Sequence, residues 1–223
     1  MRVIGGFLRE ISLRDSLLWC LIFLAFLLAF TILSVVYIQP NCLSMLLKIS
    51  TSNLTVAVSR ISPSMKFDSI MHGIFGFFLG LFTLEPSYVI FSVFTSVLMD
   101  LDHVPFLLGL PVPARISHSL VFLSLADLGY LFLFKKKELV VVMTSSFLLH
   151  MALDKLNVPL LSPFSLSPYM PNWMRYTFFL LAFCLNLVFI GEPHFRDLIL
   201  KRLSLRRNPK SSKEIEIKSK SSS

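Results

Sequence analysis

His72, His118 and His150, with the run Asp100-Leu101-Asp102-His103, are the residues whose types and spacing could do chemistry in this chain. Neutral imidazoles and carboxylates are ligands for Zn²⁺, Mn²⁺ or Fe²⁺. His150 and Asp154 are four residues apart, which places them on one face of a helix. They also lie in an apolar stretch, where a carboxylate is costly unless paired, hydrated or liganded. A divalent ion, Zn²⁺ first and Mn²⁺ or Fe²⁺ after it, would supply that partner. The set His72, Asp100, Asp102, His103, His118, His150 and Asp154 has room for one ion or two. Asp100 or Asp102 would bridge the ions or act as base while metal-activated water attacks a phosphoryl group. Arg115 precedes His118 in Arg-Ile-Ser-His-Ser, and its guanidinium fork suits a phosphate. It equally suits a residue snorkelling to the membrane interface. Ser117 and Ser119 flank His118 and are placed to orient it. A serine nucleophile is not indicated, because the Gly-x-Ser-x-Gly elbow is absent.

Each piece also has a bland reading. A single histidine in a Gly-rich helix packs helices, His-x-x-x-Asp makes a hydrogen bond, and Asp-x-Asp-His is polar helix-end chemistry. The elements that position the residues decide between the readings. The chain has 223 residues, of which 55% are apolar and only 15% charged. Soluble domains run near 25% charged, so this sequence lacks a polar coat. Apolar runs cover residues 16–38, 69–84, 87–99, 119–134, 139–161 and 176–190. The first is 23 residues, about 34 Å of helix, enough to cross a hydrocarbon core of about 30 Å. The expected fold is therefore an all-α, polytopic membrane bundle of about six spans, two of them short. Its divisions are an N-terminal segment (1–15), an anchor (16–38), an external connection (39–67), a helical membrane domain (68–192) and a basic tail (193–223). Glu85-Pro86 reads as a tight turn between two helices. Gly76 and Gly80 form a GxxxG that allows close helix approach. Asp127 reads as polar glue between helices. The Pro- and Ser-rich stretch after residue 158 reads as an ordered loop.

The net charge of +8 could suggest nucleic acid, but the basic residues flank apolar runs or fill the Ser-rich tail, so no nucleic acid is expected. With both termini inside, fifteen of the 21 Lys and Arg fall inside and six outside, as the positive-inside rule requires. In that topology the histidines and aspartates collect at the outer face of a plasma or inner membrane.

In order and spacing the polar residues resemble the YdjM-type family of membrane-bound metal-dependent hydrolases. The resemblance covers roughly residues 68–165. Its motif is carried by His72, then Asp100, Asp102 and His103, then Arg115, Ser117, His118 and Ser119, then His150 and Asp154, with Pro163 following. Met99 stands where the family has proline, and Ala114 where it has histidine. That family is distantly similar to the zinc-dependent phospholipase C and P1-type nuclease group. The resemblance implies hydrolysis of a phosphoester, in a membrane lipid or a small molecule. A metal or proton transporter and a non-catalytic adaptor are the competing functions.

Overall fold

The computed structural model describes residues 13–48, 50–83, 85–112, 115–154 and 158–191. The N-terminal residues 1–12, the basic tail expected at 193–223 and Ala114 lie outside the described residues.

Helix α1 (Leu13–Ile38) is apolar on all sides. It buries Trp19, Phe23, Leu27 and Thr31 at four-residue spacing and leaves Leu17, Leu21, Leu28 and Leu33 exposed. A helix with an exposed apolar face of this length has lipid as its solvent. Two short helices, α2 (Cys42–Leu46) and α3 (Thr51–Ser59), occupy the connection that follows. Helix α4 (Pro63–Leu81) starts earlier than the sequence pattern implies, because Ser62 caps it, accepting from the Met65 amide, and Pro63 takes the first helical position. The Glu85-Pro86 turn then leads into α5 (Pro86–Leu98). The two helices touch closely through the glycines. A Cβ on Gly76 would lie 2.6 Å from Ser96 Oγ, and one on Gly80 would lie 2.7 Å from Val89 Cα.

The chain does not leave its helical path at Asp100. It tightens into a 3₁₀ turn (Met99–His103) and continues as α6 (Val104–Leu107). After a loop, α7 (Leu120–Phe134) begins with Ser119 as its cap, accepting from the Phe122 amide, and ends at Lys135 in a left-handed conformation. Helix α8 (Lys137–Leu153) packs against α4, α5, α7 and α9, and ten of its 17 residues are buried. It is the central helix of the bundle. The chain turns extended at Asp154, and strands β1 (Pro159–Leu161) and β2 (Ser165–Tyr169) pair antiparallel. Helix α9 (Asn172–Asn186) closes the described part, ending in a π-helical turn.

The expectation of six spans is overturned. Among the described residues three helices are long and apolar enough to cross a membrane: Leu13–Ile38, Pro86–Leu107 and Asn172–Phe189. The run at 69–84 falls short because the first two turns of α4 carry Lys66 and Asp68. The run at 119–134 yields a helix of only 15 residues. The run at 139–161 is split: its first part is the interior helix α8 and its last three residues are a β-strand. The all-α expectation fails at the same place, since the Pro- and Ser-rich stretch contains both strands of a hairpin. The placement of both termini on one side rested on six crossings, and the outer-face argument falls with it. The protein is a multi-pass membrane protein with fewer crossings than apolar runs.

The bundle has two unlike ends. At one, Trp19 stacks on Tyr88 with ring centroids 5.3 Å apart, and Tyr130 donates to the Trp19 carbonyl at 2.5 Å. At the other, the second half of α1, the start of α4, the 3₁₀ turn, the loop before α7 and the end of α8 converge on the polar residues.

Candidate metal centre

The eight residues singled out in the sequence form one connected cluster. His72 comes from α4, Asp100, Asp102 and His103 from the 3₁₀ turn, Arg115 and His118 from the loop before α7, and His150 and Asp154 from the end of α8. The close approach at Gly76 brings α4 near enough for the His72 ring to stack on His150, with centroids 3.8 Å apart. The 3₁₀ turn places Asp102 and His103 on the buried side and leaves Asp100 half-buried.

Hydrogen bonds fix the tautomers of two rings. His150 Nδ1 lies 2.6 Å from the Ser96 carbonyl. A carbonyl can only accept, so Nδ1 carries the proton and Nε2 of the neutral ring bears a lone pair. His118 Nδ1 lies 2.9 Å from Asp102 Oδ2, which likewise directs its proton to Nδ1. The two Nε2 atoms then face one another at 2.7 Å. Two lone pairs at that distance repel unless a positive charge, a proton or a metal ion, lies with them. The surroundings favour such a charge. Burial by itself disfavours the His118 imidazolium, yet the carboxylates of Asp102 and Asp154 outweigh it and push its pKa up to about 10.

Asp154 is the hub. Its Oδ2 is 3.2 Å from His118 Nε2 and 3.8 Å from His150 Nε2, and its Oδ1 is 3.5 Å from His72 Nε2. Arg115 Nη1 forms an ion pair with the same Oδ2. Arg115 is almost fully buried and has a φ of 69°, a left-handed backbone that a non-glycine residue adopts only when its surroundings hold it there. His103 Nδ1 donates to the Asp100 carbonyl at 2.9 Å.

The donor set fits a divalent cation. His72, His150 and Asp154 offer ligand atoms all within 4.8 Å of one another, and so do Asp100, His118 and His150. His72 Nδ1 and Asp102 Oδ1 are buried without a hydrogen-bond partner among the described residues. Among the described residues three carboxylates face one guanidinium, an excess of two negative charges with the imidazoles neutral and of one with His118 protonated. A divalent ion would offset it, and an excess of negative charge around buried groups such as Asp102 and Asp154 is otherwise costly. The histidine with its second nitrogen tied to a carboxylate or carbonyl is the usual support for a metal-ligating ring. The described residues thus hold a buried His/Asp cluster able to chelate one divalent metal ion.

Several neighbours carry no sequence signal. The Ser96 carbonyl could not be found from side-chain types. Ser69 Oγ donates to Asp100 Oδ2 at 2.5 Å, and Thr31 of α1 shares a hydrogen bond of 2.8 Å with Ser117. Ser117 acts on the site through its backbone amide, which donates to Asp102 Oδ2 at 2.7 Å. Ser119, expected to orient His118, caps α7 instead. Asp127 is bridged to α8 by the Thr144 hydroxyl at 2.8 Å and stands apart from the cluster.

Comparison with known proteins finds no matching family model, no matching curated protein and no matching solved structure.

Proposed function

We propose that the chain is a membrane-embedded, metal-dependent hydrolase acting on a phosphoester. The observation that carries the reading is the facing pair of His118 and His150 Nε2 atoms, flanked by Asp154 and Asp100 and backed by Arg115. The motif resemblance to the YdjM-type hydrolases points the same way. A divalent ion in such a site, Zn²⁺ or else Mn²⁺ or Fe²⁺, supplies Lewis acidity and makes water a better nucleophile at neutral pH. His72, His118, His150 and Asp154 would hold it, and Asp100 would complete the set or serve a second ion. Asp102 keeps the His118 lone pair aimed inward by accepting from Nδ1.

Asp100 is the member of the carboxylate set with the most solvent access, its side chain 20% exposed, so where it is not itself a ligand it would be the base that accepts a proton from water. The Ser69 hydroxyl holds its second oxygen. Among the described residues Arg115 is the cation that pairs with a member of the cluster. A guanidinium there binds a phosphoryl oxygen and stabilises the charge that builds on it. A transporter fits less well, because the histidines and aspartates of the cluster collect at one end of the bundle and the opposite end is packed with aromatic rings.

The test is metal content of the purified protein beside the His150→Ala/Asp154→Ala variant. Bound metal in the first and its loss in the second is the expected result. Equal, negligible metal in both would sink the proposal. Phosphomonoester, phosphodiester and phospholipid substrates are then compared on the metal-loaded protein.

A further inference from the structure

A groove of about 950 Å³ opens beside the cluster, at the upper end of the range of about 300–1,000 Å³ found for small-molecule sites. It shares Asp100, His103 and Arg115 with the polar site. Away from that end its wall is apolar and includes Ile70, Val97, Leu101, Val104, Phe106 and Leu107. Most of these belong to the last turns of the apolar stretch Pro86–Leu107, itself long enough to cross a membrane. Ile70 and Phe106 are more than half exposed, so the groove is continuous with the apolar outside of the bundle.

Arg60, Lys66 and Arg115 outnumber the carboxylates of Asp68 and Asp100 in the polar part. Arg115 is nearly buried, and its Nε has no hydrogen-bond partner among the described residues. Arg60 is fixed across the groove by a hydrogen bond of 2.8 Å from Nη1 to the Leu107 carbonyl, which leaves its other N–H groups for a ligand. Lys66 lines the same wall. A sugar or a free nucleotide would leave the apolar wall unused, and a neutral hydrocarbon would leave the charged end, with three cations against two carboxylates, unused.

We infer that the groove binds a membrane lipid with an anionic phosphate headgroup, laying a hydrocarbon chain along Leu101 and Val104 and presenting the phosphate to Arg115 and the His/Asp cluster. This rests on the hydrolase reading of that cluster and names the substrate class it takes. The lipid enters sideways from the membrane. Arg60 and Lys66 select the anionic head, and the apolar wall fixes the depth at which the phosphate stops.

The experiment uses the full chain in phosphatidylcholine nanodiscs containing a minor fraction of phosphatidic acid with a photoreactive acyl chain. Crosslinks are mapped by mass spectrometry, and metal content is measured on the same samples. Enriched crosslinking at Leu101, Val104 and Ile70 over the lipid-facing Leu21 and Leu28 of α1 is expected. Lys66→Gln, and Arg60→Gln/Lys66→Gln with helicity checked, should lower the preference for phosphatidic acid over a photoreactive phosphatidylcholine about tenfold, with metal content unchanged. Uniform labelling of all lipid-facing residues, or an unchanged headgroup preference in both variants, would overturn the inference. Displacement of the lipid by inorganic phosphate alone would assign the site to a free anion and overturn it as well. Loss of groove labelling with metal retained removes only the lipid assignment, whereas absent metal with labelling intact removes the hydrolase reading.

Discussion

Asp102→Asn is the most informative single change in the cluster. The substitution preserves shape and removes one charge. Asp102 Oδ2 accepts from His118 Nδ1 at 2.9 Å and from the Ser117 amide at 2.7 Å, and an asparagine oxygen can still accept both. What disappears is the carboxylate that makes His118 a stronger donor to a metal. Loss of such a support costs about 10- to 100-fold in metal affinity, or about 1.4–2.7 kcal/mol. Competition between the purified protein and a fluorescent chelator reads this directly, with circular dichroism to confirm helicity. Affinity equal to that of the unaltered protein, with the fold intact, would show that Asp102 does not act through His118. A loss as complete as that of His150→Ala/Asp154→Ala would refute the reasoning in the other direction, since Asp102 would then be a ligand itself.

Other outcomes follow from packing. Gly80→Ala sets a Cβ 2.7 Å from the Val89 backbone, which cannot yield, so a thermal melt in detergent should drop by the equivalent of about 1–3 kcal/mol. Gly129→Ala meets only the tip of the Phe26 ring, and a drop as large as that of Gly80→Ala would contradict the argument. Thr144→Val removes the hydroxyl that donates to the Asp127 carboxylate and should destabilise by about 1–3 kcal/mol, while Asp127→Asn/Thr144→Val should recover part of the loss; no recovery would mean that the carboxylate is not the cause.

The polar residues were legible because so few of them interrupt apolar sequence. Histidine and aspartate in an apolar segment are expensive, and the eight that were singled out do meet. The crossings were less legible because apolar runs report burial without saying what covers them. Helix α8 reads like a span but is covered by protein, as its ten buried residues show. The hairpin was hidden by prolines that mark irregular backbone and do not distinguish a loop from a short strand pair. The Ser96 carbonyl and the Ser117 amide left no trace, since every residue has a backbone. The Glu85-Pro86 turn and the Gly76/Gly80 contact were readable from local chemistry, because only glycine, with no Cβ, lets the two helices approach so closely.

The cluster draws on α4, the 3₁₀ turn, the loop before α7 and the end of α8, and each group of three ligand atoms within 4.8 Å of one another includes His150 of α8. His150 and Asp154 are the last to be synthesised. A chain emerging from the ribosome therefore holds no competent centre until α8 has slid into the middle of the bundle. Assembly itself acts as a safety catch: the chemistry is armed only when the membrane domain is whole.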